Sequence, residues 1–217
     1  MRIIFLGLAG AGKGTQAKVA AEHMGVAFVS SGDLFRFHQT EGTPLGLLAK
    51  SYMERGDLVP DDVAIRMILE SIAHDSDGKG FVLDGFPRTL QQAGALDETL
   101  EGGGIDAVLY VKVREEELVR RLSDRVSCRR CGTPYQKEVT DAQSLTHCSS
   151  CGGELYQRPD DQPEIVRRRL QVQRPEITNL ASYYTTQGKL TEIEGEQGVE
   201  AVAREVLKAI SQYASAS

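Results

Sequence analysis

Arg2-Ile3-Ile4-Phe5-Leu6-Gly7-Leu8-Ala9-Gly10-Ala11-Gly12-Lys13-Gly14-Thr15 is the stretch on which the fold turns. Arg2–Leu8 is a short apolar run that ends in turn residues, and helix formers follow over Lys13–Met24. Such a run reads as a strand covered on both faces. Glycines let the following loop turn tightly, so that its N–H groups point inward at phosphate oxygens. The helix N-terminus adds the positive end of its dipole. Gly10, Ala11, Gly12, Lys13, Gly14 and Thr15 are therefore the candidate cradle of a nucleoside triphosphate. Lys13 can reach the outer phosphates, where charge is rearranged during transfer. The usual phosphate loop puts Ser or Thr directly after the lysine to hold magnesium; here Gly14 intervenes. The plain alternative is a glycine-rich turn with a solvent lysine, and the strand before and helix after argue against it.

Outward from the loop, strands alternate with helices. Short strands are expected at Ala27–Ser30, Phe81–Asp84, Ala107–Val113 and near Leu190–Glu194. Helical patterns lie at Asp61–Ala73, Thr89–Leu100 and Glu115–Arg125. In the last helix Val199, Val202, Ala203, Val206, Leu207 and Ile210 recur at helical spacing, which marks a face that covers the sheet. This order implies βαβ units, an α/β class and a mainly parallel sheet. Two segments interrupt it as insertions: Ser31–Pro60, helical without a strand, and Val126–Asp161, which holds all four cysteines.

The 217 residues suffice for one sizeable core with smaller insertions. No run approaches the roughly 18 apolar residues of a membrane helix. The apolar start enters glycines at once and reads as a buried strand, not a secretory signal. A cytoplasmic protein without a membrane partner is expected. Acids outnumber bases by 31 to 25, a net charge of −6, which argues against a nucleic-acid partner. It leaves room for small anions held by local arginines.

A second site follows from Ser30-Ser31-Gly32-Asp33-Leu34-Phe35-Arg36 and from Phe81-Val82-Leu83-Asp84-Gly85-Phe86-Pro87-Arg88-Thr89, with Gln92 one turn on. Both segments close strands, and ligands of doubly wound sheets collect at the carboxyl ends of strands. Arg88 offers a planar fork for phosphate, and Gln92 can both donate and accept, as an adenine edge requires. Each has a plainer reading: Asp33 as a helix cap, Arg36 as a surface residue, Gln92 as an exposed helix residue, Pro87 as a turn former.

GxxGxGKGT, SGDLxR, Gly56-Asp57-Leu58-Val59 and LDGFPRTxxQ occur here in order, and the joint pattern resembles the adenylate kinase family over nearly the whole chain. The resemblance implies a P-loop NTPase-type sheet flanked by helices, with core segments 1–29, 60–123 and 162–217. It implies a helical monophosphate-binding insertion at 30–59 and a small zinc-clipped lid at 124–161. Ser31, Arg36, Asp57, Leu58, Val59 and Gln92 would contact AMP, and Gly85, Phe86, Pro87 and Arg88 would hold its phosphate. Asp84 would orient magnesium and its waters. Arg121, Arg125, Arg158 and Arg169 would converge on the phosphates as the lid closes, with Arg158 and Arg169 also reaching AMP. Arg125, Tyr135 and Gln197 would serve ATP.

From spacing, Arg121 and Arg125 should share a face of one helix. Arg167 and Arg168 read better as a solvated charge run. Cys128-x2-Cys131 and Cys148-x2-Cys151, sixteen residues apart, supply four thiolates for a tetrahedral metal, zinc by preference. Four protein ligands make such a site structural. Two disulfides fit a cytosolic setting less well.

The pattern has departures. Ala9 stands where the family often has proline, Val126 replaces a bulkier or basic residue, and Pro134 a small polar one. Pro175 should kink or break its helix. The expected function is reversible, Mg-dependent transfer between ATP and AMP giving two ADP, by a monomer. The same reaction on UMP or CMP is the nearest alternative. A nucleotide-switched zinc-ribbon binding module is a more distant one.

Overall fold

The computed structural model describes residues 1–76, 78–100, 104–137 and 146–216; positions 138–145 of the expected lid lie outside them. In chain order the elements are β1 (Arg2–Leu6), α1 (Lys13–Met24), β2 (Ala27–Ser30), α2 (Ser31–Thr40), α3 (Pro44–Met53) and α4 (Asp61–Asp75). There follow β3 (Phe81–Asp84), α5 (Leu90–Thr99), β4 (Ala107–Lys112), α6 (Glu115–Ser123), β5 (Arg125–Cys128), β6 (Pro134–Gln136) and β7 (Leu155–Tyr156). A helical turn at Pro159–Asp161 leads into α7 (Pro163–Thr186), then β8 (Leu190–Glu194) and α8 (Val199–Ala216).

Five strands form one parallel sheet in the order β2-β3-β1-β4-β8. The central strand explains the two layers around it. Because side chains alternate along a strand, Ile4 and Leu6 enter one layer while Ile3 and Phe5 enter the other. The first layer packs on Met67 and Ile68 of α4, Leu96 of α5, and Leu180 and Tyr184 of α7. The second packs on Ala17, Ala20 and Ala21 of α1, Leu118 and Leu122 of α6, and Val202, Val206 and Ile210 of α8. Each fully buried Leu, Ile or Phe contributes about 1.5–3 kcal/mol, and both layers hold several. The sheet's parallel strands, covered on both faces, carry the continuous apolar runs that the sequence shows.

Between β2 and α4 the chain forms two helices, α2 and α3, and no strand. Ser30 Oγ accepts from the Asp33 N–H at 3.3 Å and so caps α2. Thr43 caps α3 in the same way, with Pro44 at its first position. Asp33, a possible cap by sequence, instead holds Arg36 at 2.5 Å. Beyond α6 the described chain forms a small antiparallel sheet in the order β6-β5-β7.

Two expectations are corrected. Helix α6 stops at Ser123, where Asp124 sends its N–H back to Arg120 and Leu122 carbonyls. Arg125 opens β5 opposite Gln136, so it does not share a helix face with Arg121. Pro175 neither ends nor divides α7, which runs 24 residues through it. An interior proline costs about 3 kcal/mol. Here buried residues on both sides, Val166 and Leu170 before it and Ile177, Leu180 and Tyr184 after it, hold the helix in place.

Candidate active site

The carboxyl ends of β1, β2 and β3 lie level, with Phe5 and Ser30 both opposite Asp84. The loops after them enclose a cleft of about 730 Å³, lined among others by Gly10, Gly12, Lys13, Gly14, Thr15, Asp84 and Pro87. Lys13 Nζ donates to the Leu8 carbonyl at 2.8 Å. Burial pushes its pKa down to about 8, and the cations Arg88, Arg169 and Arg125 add to this while Asp84 opposes it. Burial likewise raises the Asp84 carboxyl above its ordinary value, against the pull of Lys13 and Arg88.

Gly14 explains the departure from the usual loop. A Cβ there would sit 3.0 Å from Asp84 Oδ2, closer than a carbon and a carboxylate oxygen comfortably pack. The backbone thus lies against the carboxylate, and the hydroxyl falls to Thr15. Among the described residues nothing donates a hydrogen bond to Asp84, so its oxygens keep open lone pairs beside the cradle. Open carboxylate lone pairs next to phosphates suit a hydrated magnesium ion, which binds through one or two carboxylates and keeps most of its water.

A second cavity adjoins the first. Its lining includes Ser31, Phe35, Asp57, Val59, Phe86 and Gln92. Arg36, Arg88 and Arg169 line both cavities, so cations stand where the two meet. Arg88 Nε donates to the Gly85 carbonyl at 2.7 Å, and one terminal nitrogen to Ser31 Oγ at 3.4 Å. Ser31 Oγ donates in turn to the same carbonyl at 2.7 Å. Burial, with Arg169 adding, brings the Arg88 pKa down to about 10.

The remaining arginines differ in how they are held. Arg125 makes a two-pronged pair with Asp161, at 2.7 and 2.5 Å. Burial would lower its pKa, but Asp161 outweighs burial and holds it above the ordinary value. Arg169 bonds Asp160 at 2.9 Å and Asp161 at 3.4 Å. Arg121 is held by Glu117 at 2.7 Å and the Gly195 carbonyl at 3.0 Å. Arg158 is the exception. It is buried, makes a 3.4 Å bond to the Gly132 carbonyl, and its Nε has no partner. Burial foremost, then Arg36 and Arg125, brings its pKa down to about 10. Arg121, Arg125, Arg158 and Arg169 therefore line one cleft together with Arg36 and Arg88, and of the first four Arg158 is the one without an ion pair among the described residues.

The four cysteines are free thiols whose sulfurs lie within 4.8 Å of one another. Cys128 and Cys151 are 3.5 Å apart, as are Cys131 and Cys148. Sulfurs about 2.3 Å from a tetrahedral zinc would be about 3.8 Å apart, so the quartet fits such an ion. The N–H groups of Arg130 and Cys131 point at Cys128 Sγ, at 3.3 and 3.5 Å. A Cβ on Gly153 would lie 2.8 Å from the same sulfur, so the backbone itself forms part of the cradle.

The profile of the family described as adenylate kinase matches residues 5–189. A Dehalococcoides mccartyi protein named adenylate kinase is 49% identical over 213 residues, covering 96% of this chain and 97% of that protein. Its Archaeoglobus fulgidus namesake is 46% identical over 208 residues, covering 95% and 96%. The Salinispora tropica one is 44% identical over 215 residues, covering 98% and 99%. The chain belongs to the adenylate kinase family. It is thus a phosphotransferase, a nucleoside monophosphate kinase on an α/β fold.

Against the adenylate kinase pattern, some positions face elsewhere. Tyr135 does not line the cleft, whereas its strand neighbours Pro134 and Gln136 do. Its hydroxyl lies 3.1 Å from Cys148 Sγ and 3.0 Å from Ser149 Oγ. The two-residue alternation of a strand accounts for this. Gln197 gives its amide to Glu205 at 2.9 Å and also lies off the cleft. Leu58 lies between Asp57 and Val59 without lining the second cavity, and Ala11 is buried behind the cradle. Sequence reasoning assigned no role to Gln173, which lines both cavities and binds the Ala9 N–H. Its signal was its place four residues after Arg169, on the same helix face.

Proposed function

We propose that the chain catalyses reversible phosphoryl transfer between Mg-ATP and AMP, giving two ADP. One observation carries this reading: two cavities, one at the phosphate loop, share a wall of Arg36, Arg88 and Arg169. Two nucleotides placed in them would bring their phosphates together at those cations. Transfer of a phosphoryl group needs positioning and charge stabilisation, with little covalent work by the protein.

In this reading the loop N–H groups from Gly10 to Thr15 and Lys13 cradle the triphosphate of ATP. Arg88 orients the AMP phosphate through a guanidinium already aimed by Gly85 and Ser31. Arg121, Arg125, Arg158 and Arg169 spread charge over the group in flight. Asp84 would hold hydrated magnesium, which bridges phosphate oxygens and neutralises developing charge. Gln92 and the backbone around Asp57 to Val59 would read the acceptor base. Segments 30–59 and 124–161 would close over the nucleotides and exclude water that would otherwise hydrolyse ATP. The four cysteines would hold zinc as a structural clip for the second segment.

The test measures ADP formation from Mg-ATP with AMP, UMP or CMP, for wild type and Lys13→Ala. Selective use of AMP that collapses in the variant is the expected result. Turnover of UMP or CMP instead would keep the mechanism and overturn the base assignment. No transfer by folded, metal-loaded protein would overturn the reading.

A further inference from the structure

Gln92 is 2% exposed and every polar atom of its side chain is engaged. Its Oε1 accepts from the Arg88 backbone N–H at 2.7 Å, and its Nε2 donates to Asp61 Oδ1 at 2.7 Å. The other Asp61 oxygen accepts from Thr89 Oγ1 at 3.0 Å, and Thr89 Oγ1 accepts from the Gln92 N–H at 3.2 Å. Oxygen and nitrogen of an amide look alike in shape, so chemistry must say which is which. Here it does so at both ends. A backbone N–H can only donate, so the atom facing it is the oxygen. A carboxylate can only accept, so the atom facing it is the nitrogen. Reversing the amide would set N–H against N–H and oxygen against carboxylate.

We infer that Asp61 fixes the orientation of the Gln92 amide and thereby makes the acceptor site select a 6-aminopurine over a 6-oxopurine monophosphate. The inference rests on the reading of Gln92 as the residue that meets the acceptor base. With one bond made on each side, Gln92 keeps one free N–H and one free carbonyl lone pair. A 6-aminopurine offers the complementary pair, an amino donor beside a ring-nitrogen acceptor. A 6-oxopurine offers the reverse, a carbonyl acceptor beside a ring N–H. An oriented amide pairs with the first and opposes the second, and a site built for particular hydrogen bonds rejects the analogue that cannot make them.

Asp61 lines neither cavity, so it acts through Gln92 as a positioning residue. It sits in the first turn of α4, where the helix dipole favours a carboxylate. Thr89 serves the same ring: it caps α5 and presents its one proton to Asp61. The residue that aims the base reader is thereby tied to the turn that carries Arg88, the phosphate reader.

The experiment compares kcat/KM for AMP and for IMP in wild type, Asp61→Ala, Asp61→Asn and Gln92→Leu, with ATP KM and a thermal melt for each. In Asp61→Ala the AMP preference should fall at least about tenfold, the worth of one oriented hydrogen bond. The fall should come mainly through the KM for AMP, with kcat and the ATP KM nearly unchanged. Asp61→Asn should restore most of the preference, because its carbonyl still accepts from Gln92. If Asp61→Ala fails to fold, Asp61→Ser replaces it, polar at the head of α4 but too short to reach Gln92. An unchanged preference in a folded Asp61→Ala or Asp61→Ser variant overturns the inference. If Gln92→Leu loses the preference while those variants keep it, only the role of Asp61 fails. If Gln92→Leu keeps the preference, the base assignment itself fails.

Discussion

Gln173 Oε1 accepts a hydrogen bond from the Ala9 backbone N–H at 3.1 Å, buried and spanning 164 positions of sequence. It ties the phosphate loop to α7, one turn beyond Arg169. A proline at position 9 has no N–H to give, so alanine is what permits this tether. Gln173→Leu leaves the Ala9 N–H buried without a partner, at a cost of about 1–3 kcal/mol. The thermal midpoint should fall by several degrees, and the KM for ATP should rise more than that for AMP. Unchanged melting and an unchanged ATP KM would show that the bond holds nothing.

Lys13 gives the pH dependence. Its folded pKa, about 8, lies below the unfolded value of 10.5. Between those values the unfolded chain binds the extra proton, so the stability of the nucleotide-free protein rises with pH there. Below pH about 8 the buried ammonium is a fixed cost. Lys13→Met should therefore melt higher than wild type at neutral pH, with the gain shrinking from pH 8 to 10.5, although transfer is lost. Triphosphate binding should draw a proton onto Lys13 above pH 8, seen by calorimetry in buffers of different ionisation enthalpy. Binding without proton uptake at pH 8.5 would count against the shift.

Among the described residues Arg158 makes no ion pair and leaves its Nε unsatisfied, as expected of a cation held for the phosphates of a ligand. Arg158→Met keeps the packing of the stem and removes the charge. We expect kcat/KM to fall about 10²–10³-fold, as when one transition-state donor is lost, while the nucleotide-free protein melts no lower. A stability loss without a rate loss would reverse the assignment.

Removal of the metal should act on the lid before the core. Loss of a structural metal is among the changes that cost more than about 4 kcal/mol, and a chain of this size loses about 2–4 °C per kcal/mol. Cys128→Ser should thus lower the midpoint by on the order of 10 °C and raise the KM for ATP. Elemental analysis of wild type should find about one zinc per chain; metal-free protein with unaltered melting would refute the clip.

The strands at Ala27–Ser30 and Phe81–Asp84 were legible to the residue, because short runs led into turn formers, and the last was placed near its observed Leu190–Glu194. The cysteines were legible because metal chemistry sets their spacing. Arg125 was not. Its charge matched the face of α6, but its strand partner Gln136 and its acid Asp161 are remote in sequence. Asp61 escaped notice for the same reason, since a single acid at the head of a helix takes its meaning from a partner far along the chain; Gln173 had only its spacing from Arg169 to mark it, and its partner Ala9 is remote as well. Pro175 misled in the other direction, since a local rule about helices yielded to burial on both sides.

Strand β5 carries Arg125 at one end and Cys128 at the other, three residues apart. At about 3.3 Å per residue, a rod of roughly 10 Å joins the phosphate site to the metal knuckle. The two ends answer to different demands. The arginine end must be a cation in one place, whereas the cysteine end need only be held still. Any clip of equal stiffness would serve at the cysteine end, whereas the arginine end has no such substitute, because only a cation held in place can meet a phosphate there.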